Sequence, residues 1–214
     1  MNEKAKEILE SYKKKYFFIA EKEKQITEAY HIINDSYYNG GKLLICGNGG
    51  SNSDADHIAG ELLKGFNKMR SLSLEEKNFL NQFGEIGEDL AEKLQGSLPA
   101  INLGAHTSLV TAVINDIGGE EIFAQQVIGF GNKGDVLLGI STSGNSKNVL
   151  KAIWAAKMKG MKTIGLMGDR KGKMLEYCDA AIEVPSLCTP DIQDMHTSVY
   201  HVLCAMLEAE RWEN

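Results

Sequence analysis

Apolar residues recur at three- and four-residue steps through the first 38 positions: Ala5, Ile8, Leu9 and Tyr12, then Ile19, Ala20, Ile26, Ala29, Tyr30 and Ile33. Lys and Glu fill most of the gaps, and this period predicts helix over residues 2–38. A helix ahead of the first strand has no crossover of its own on which to bury such a stripe. It is therefore expected to pack across the domain or against a second subunit. At Asn39-Gly40-Gly41 the pattern breaks in a turn signal, and Lys42–Cys46 follows as a continuous apolar run, the mark of a buried strand.

The rest of the chain alternates these two patterns. Helical spacing over Ser51–Gly65 is followed by a charged stretch, 67–97, that keeps Leu80, Phe83, Ile86, Leu90 and Leu94 at roughly helical steps and opens with the capping-box sequence Ser73-Leu74-Glu75-Glu76. Linkers lack such periodicity, so the stretch reads as a helical insertion. Strands are predicted at Pro99–Leu103, Asp135–Ile140, Thr163–Met167 and Ala180–Val184. Helices are predicted at Ser108–Asn115, Glu120–Gly129, Asn145–Lys159 and Lys171–Tyr177, with a long closing helix over 191–212. Strands that are almost wholly apolar and alternate with helices imply an α/β fold, a parallel sheet of about five strands covered on both faces. On such sheets ligands sit beyond the carboxyl ends of the strands, near the point where strand order switches.

Composition narrows the setting. A chain of 214 residues suffices for one large α/β domain, and one domain over 1–214 is expected. Its net charge of −6 argues against a nucleic-acid surface, which needs clustered Lys and Arg. The four cysteines (Cys46, Cys178, Cys188 and Cys204) have no C-x-x-C spacing and read as buried free thiols in a reducing compartment. No apolar run reaches the ~20 residues of a membrane span, and no signal peptide is visible. The expected location is the cytoplasm, away from membranes.

Three polar loops remain at predicted strand ends. Gly47-Asn48-Gly49-Gly50-Ser51 joins a strand to a helix N-terminus, where free backbone N–H groups face a ligand; glycine turns of this kind are common and alone do not identify one. Ser141-Thr142-Ser143-Gly144-Asn145-Ser146 places four hydroxyls around a glycine at the next helix start. An ordinary N-cap needs one hydroxyl, so four favour a phosphate cradle built from N–H groups and the helix dipole. It is not a Walker loop, having no G-x-x-x-x-G-K-[ST]. The third loop, Asn115-Asp116, is by itself only a turn signal.

Groups suited to acid–base or metal chemistry are few. His57 and Glu61 stand four residues apart on one helix face directly after the glycine loop. Such a pair is commonly only a solvated ion pair, but this one lies where ligands bind. On the last helix Gln193, Thr197 and His201 form an i, i+4, i+8 stripe. The backbones of Gln193 and His201 are two turns, about 12 Å, apart, so one ion could reach both only by their converging from either side, or if Gln193 lies before the regular helix. His196 points away from His201 and is the weaker candidate.

Taken together these stretches resemble a known family. Gly47–Ser51, Asp54-Ala55, His57, Glu61-Leu62, Asn115-Asp116, Gly134–Ser146, Asn148-Val149, Ile192-Gln193 and His201 are similar to the sugar isomerase (SIS) domain of phosphoheptose isomerases, outside the insertion at 67–97. The resemblance implies a three-layer αβα sandwich and an aldose–ketose isomerase that converts sedoheptulose 7-phosphate to D-glycero-D-manno-heptose 7-phosphate through an enediolate. It implies that Ser141, Thr142, Ser143 and Ser146 hold the phosphate, and that Asn48, Gly49, Gly50, Asn115, Asp116, Glu61 and Gln193 contact the substrate. Glu61 would be the general base and His201 the general acid. His57, Glu61, Gln193 and His201 would bind one zinc ion per subunit of a homotetramer whose sites are shared between subunits. Two positions depart from the family pattern: Gly65 stands where an arginine is usual, and Asp191 replaces the arginine of an Arg-Ile-Gln-Glu run. A non-catalytic SIS module that senses a sugar phosphate or binds a protein, and an isomerase of another sugar phosphate, are the competing readings. Retention of His57, Glu61, Gln193 and His201 favours the enzyme.

Overall fold

The structure is a computed structural model that describes residues 1–212. Its elements run α1 (Glu3–Lys15), α2 (Phe17–Glu21), α3 (Glu23–Tyr38), β1 (Leu43–Gly47), α4 (Gly50–Leu63), α5 (Leu74–Asn81), α6 (Gly84–Lys93), β2 (Ala100–Asn102), α7 (Thr107–Asp116), α8 (Ile122–Phe130), β3 (Val136–Ile140), α9 (Lys147–Met158), β4 (Lys162–Gly168), α10 (Met174–Tyr177), β5 (Ala180–Val184) and α11 (Thr189–Arg211). The five strands pair in parallel in the order β2-β1-β3-β4-β5. Every residue of β1 and β3 is buried, as their uninterrupted apolar sequences require. Because side chains alternate along a strand, Leu43, Ile45, Val136 and Leu138 enter one core, shared with α1, α3, α4 and α11. Leu44, Cys46 and Leu137 enter the other, shared with α8 and α9. The result is the expected three-layer αβα sandwich. Among the described residues no helix is long and apolar enough to cross a membrane. The four cysteines are free, but only Cys46 and Cys204 are buried; Cys178 is half-buried, and Cys188, in the loop that caps α11, is exposed.

The single N-terminal helix expected over 2–38 is three helices. Tyr16 adopts an extended backbone between α1 and α2, and Lys22 leaves helical geometry between α2 and α3. The break falls in Tyr16-Phe17-Phe18, aromatic residues of modest helix propensity. Tyr16 packs between Tyr12 and Phe18 at centroid distances of 6.0 and 6.1 Å. The apolar stripe needs no second subunit: Ala5, Leu9, Ile19, Ile26, Ala29, Tyr30 and Ile33 are buried within the chain, much of it against α11. Glu210 of α11 accepts hydrogen bonds from the Asn2 backbone N–H (2.8 Å) and the Tyr30 hydroxyl (2.6 Å), fixing both helices to it.

The segment 67–97 is helical as expected, in two short helices packed together. The capping box is present, Ser73 and Glu76 each accepting from the other's backbone N–H. Much of its apolar surface is nevertheless exposed, including Leu74, Phe79, Phe83 and Ile86. The segment is anchored at its base by Arg70, which is fully buried. Its Nε donates to Glu208 (2.8 Å), and its Nη1 and Nη2 donate to the carbonyls of Leu62 (2.6 Å) and Glu61 (2.8 Å), the end of α4. Glu208 also accepts the backbone N–H groups of Phe66 and Asn67, each at 2.8 Å. The glycine at position 65 has a local cause. Its N–H donates to Gln95 Oε1 (2.7 Å), and a Cβ there would collide with the Lys68 carbonyl.

Candidate active site

The strand order switches between β1 and β3, and the two polar loops that follow these strands lie side by side there. Asn48 and Asn148 join them through reciprocal amide hydrogen bonds of 2.9 and 2.8 Å. In the hydroxyl loop, Ser146 is the N-cap of α9 by position but its side chain makes no capping bond. Its hydroxyl lies instead 2.8 Å from that of Ser141, which is 3.4 Å from that of Ser143. An N-cap hydroxyl turned away from its own helix, toward that of Ser141, leaves the helix start open to an anion.

On the far side of the β1 loop, α4 and α11 pack together and bring three side chains to one point. His57 Nε2 lies 3.1 Å from Glu61 Oε1 and 3.5 Å from His201 Nε2. His57 is 45% exposed and Glu61 15%. Burial, and next the neighbouring His57, push the His201 imidazole below the ordinary histidine range, with Glu61 offsetting part of this. His201 is therefore neutral at pH 7, with a lone pair available. The Phe66 ring lies over it at 5.4 Å. Glu61 Oε2 has Lys64 Nζ at 4.0 Å.

The donor set suits a cation. Two imidazole nitrogens and a carboxylate oxygen lie within 4.8 Å of one another. Tetrahedral zinc with bonds of about 2.0–2.1 Å separates its ligands by about 3.3 Å, close to the 3.1 and 3.5 Å found. Two Nε2 atoms facing each other at 3.5 Å gain little as a hydrogen bond.

The remaining expected residues divide. Gln193, two turns from His201 on α11, lays its amide against the Gly50 backbone so closely that a Cβ on Gly50 would overlap Nε2. It belongs to the rim of the glycine loop, and no hydrogen bond among the described residues ties its side chain to the cluster. Gly49 and Gly50 begin α4. Asn115 and Asp116 stand at the exposed end of α7, bonded to each other at 2.7 Å. No hydrogen bond among the described residues ties them to the cluster. His196 is fully buried, and neither ring nitrogen has a hydrogen-bond partner among the described residues. Burial pushes it down to about 4.

Two residues beside the cluster were given no role by the sequence. Tyr200 lies with its hydroxyl 2.9 Å from His57 Nδ1 and its ring edge-on to both histidines. Asp54, one turn before His57, is half-buried, and that burial raises its carboxyl to about 6. One of its carboxylate oxygens has no hydrogen-bond partner among the described residues. A helix face shared with Thr197 hinted at Tyr200, and for Asp54 a face shared with His57 and its place in the family-like stretch, which assigned it no part.

A model of the SIS domain family matches residues 5–96 and 90–168, which takes in the helical segment 67–97. The chain is 44% identical over 203 residues to the phosphoheptose isomerase of a Nitratiruptor species, covering 95% of each. To that of Helicobacter pylori (strain P12) it is 46% identical over 186 residues, covering 87% of this chain and 84% of the relative. Among solved structures, phosphoheptose isomerase GmhA from Neisseria gonorrhoeae matches with a TM-score of 0.70 at 33% identity, over 87% of this chain and 86% of that one.

Proposed function

The chain belongs to the SIS-domain family of phosphoheptose isomerases, and from that premise we propose how its residues carry out an aldose–ketose isomerisation of sedoheptulose 7-phosphate. The observation that carries the reading is the His57–Glu61–His201 cluster, which α11 forms with the helix that leaves the β1 loop. Asn48 and Asn148 tie that loop to the start of α9, beside the hydroxyl loop, at the sheet's switch point. Ser141, Thr142, Ser143, Ser146 and the start of α9 hold the phosphate. Asn48, Gly49, Gly50 and Gln193 hold the sugar chain between that anchor and the cluster. Glu61, with Oε1 turned to His57, keeps Oε2 free to take the proton from the carbon beside the carbonyl and return it to the neighbouring carbon.

His57, Glu61 and His201 would bind zinc, with Gln193 completing the set from the loop side. The ion would supply positive charge for the enediolate oxygen. Because His201 is neutral and its Nε2 faces the other donors, the part we assign it is ligand first. Any proton it gives to the substrate oxygen must come from its other nitrogen. We further assign a homotetramer in the cytoplasm. Asn115 and Asp116 sit on α7, whose Leu109 and Ile114 are exposed, as is Ile117 just after it. A neighbouring subunit covering that face would bring the pair to a shared site. Light scattering that finds a monomer would remove this last assignment.

The test is proton exchange. Metal-loaded protein incubated with sedoheptulose 7-phosphate in deuterated water should incorporate deuterium at the carbon that loses its proton. Absence of exchange with five- to seven-carbon ketose phosphates would leave a non-catalytic sugar-phosphate module as the reading.

A further inference from the structure

We propose that Tyr200 is a positioning residue for His57: its hydroxyl accepts the Nδ1 proton that His57 must carry once Nε2 binds a cation, and Asp54 receives the hydroxyl's own proton in a hydrogen bond. This rests on the zinc reading above.

A neutral imidazole has one ring proton and two possible places for it. On Nε2 of His57 it points at Glu61 Oε1, 3.1 Å away; on Nδ1 it points at Tyr200 Oη, 2.9 Å away. A cation needs the Nε2 lone pair, so binding requires the second tautomer. A hydroxyl can serve both states. It donates to Nδ1 when the proton is on Nε2, and it accepts from Nδ1–H when the cation has displaced it. The ring keeps its single proton in both states; one N–H is lost at Nε2 and one is gained at Nδ1. In the second state the hydroxyl hydrogen must turn elsewhere. Thr197 Oγ1 is a poor acceptor at 3.4 Å. Asp54 holds a half-buried carboxylate beside the Tyr200 hydroxyl, within hydrogen-bonding reach of it, with an oxygen that lacks a partner among the described residues. The edge-on contacts of the Tyr200 ring with His57 (5.3 Å) and His201 (4.9 Å) fix the hydroxyl's place independently of its hydrogen bonds.

Tyr200→Phe therefore removes the acceptor and keeps the packing, leaving the Nδ1–H of a cation-bound His57 without a partner. Zinc affinity, measured on the full chain by competition with a chromogenic chelator, should fall about 10–100-fold. Asp54→Asn should weaken it in the same direction by a smaller factor. A second readout is the imidazole itself. Nitrogen–proton correlation spectra of the zinc-loaded wild type should show a His57 Nδ1–H protected from exchange, and in Tyr200→Phe that protection should be lost. Wild-type binding with Tyr200→Phe and Asp54→Asn both within twofold overturns this proposal alone. A wild type that fails to bind zinc overturns the metal reading and this proposal with it. Should Tyr200→Phe not fold, Asp54→Asn and the wild-type spectrum decide.

Discussion

Glu61 and Glu208 are two carboxylates of the same packed helix pair, one on α4 and one on α11, and they are treated in opposite ways. Glu208 is 1% exposed, ion-paired with Arg70, and accepts two backbone N–H groups besides. Glu61 keeps 15% exposure, shares one oxygen with His57 and has only a distant lysine near the other. Arg70 touches both neighbourhoods, bonding the side chain of Glu208 and the main-chain carbonyl of Glu61. A buried charge with both oxygens bonded and a cation beside it can hold backbone in place and do little else. A carboxylate with spare capacity, mounted on the backbone that the first one fixes, is free to exchange a proton.

The sharpest way to break this contrast is to neutralise each carboxylate's partner set in turn. Glu61→Gln should lower turnover about 10²–10⁴-fold, the range of a lost general base. Its unfolding free energy from urea titration should stay within about 0.5 kcal/mol of wild type. Wild-type turnover would remove Glu61 as the base. Arg70→Met should do the reverse, leaving Glu208 buried without its cation and destabilising the fold by about 3–5 kcal/mol, read in the same urea titration. A loss under about 1 kcal/mol would show that the pair does not brace the end of α4.

His196 supplies an intermediate case on α11, buried like Glu208 but without its partners. Its imidazole is held at about 4 in the fold against an ordinary 6.5, so the unfolded chain takes up the proton first. The neutral form's stability is fully present above about pH 6.5, declines as pH falls from there to about 4, and then levels. Over that window about 3 kcal/mol should be lost. His196→Leu should flatten this segment of a stability-versus-pH curve relative to wild type, and parallel curves would show that His196 does not set it.

How far these features could be read from the chain follows from how local they are. The strands were legible within a residue or two, because a strand covered on both faces must be apolar throughout. His57 and Glu61 were legible because a helix fixes the geometry of i, i+4. Their meeting with His201, 144 residues away, was available only through family resemblance. The breaks at Tyr16 and Lys22 were hidden because the apolar stripe continues across them. Arg70–Glu208 and Tyr200–His57 are pairings across 138 and 143 residues, and nothing at either end of them signals the other. Gly65, a departure from the family's arginine, was intelligible only once the turn into 67–97 was visible.

The smallest effect lies where the contrast is weakest, in the exposed α5. Ser73 and Glu76 satisfy each other's backbone N–H groups there, but α5 buries no residue, so the cap acts on the helix and on little beyond it. Ser73→Ala should cost about 1 kcal/mol locally. If 67–97 opens separately from the sheet, as a segment with so much exposed apolar surface can, the loss will appear as faster amide exchange confined to α5 and α6, with the global urea midpoint unmoved. A shift of the global midpoint by the full amount would mean instead that the Arg70 anchor couples the segment to α4, making the hairpin part of the frame that holds Glu61.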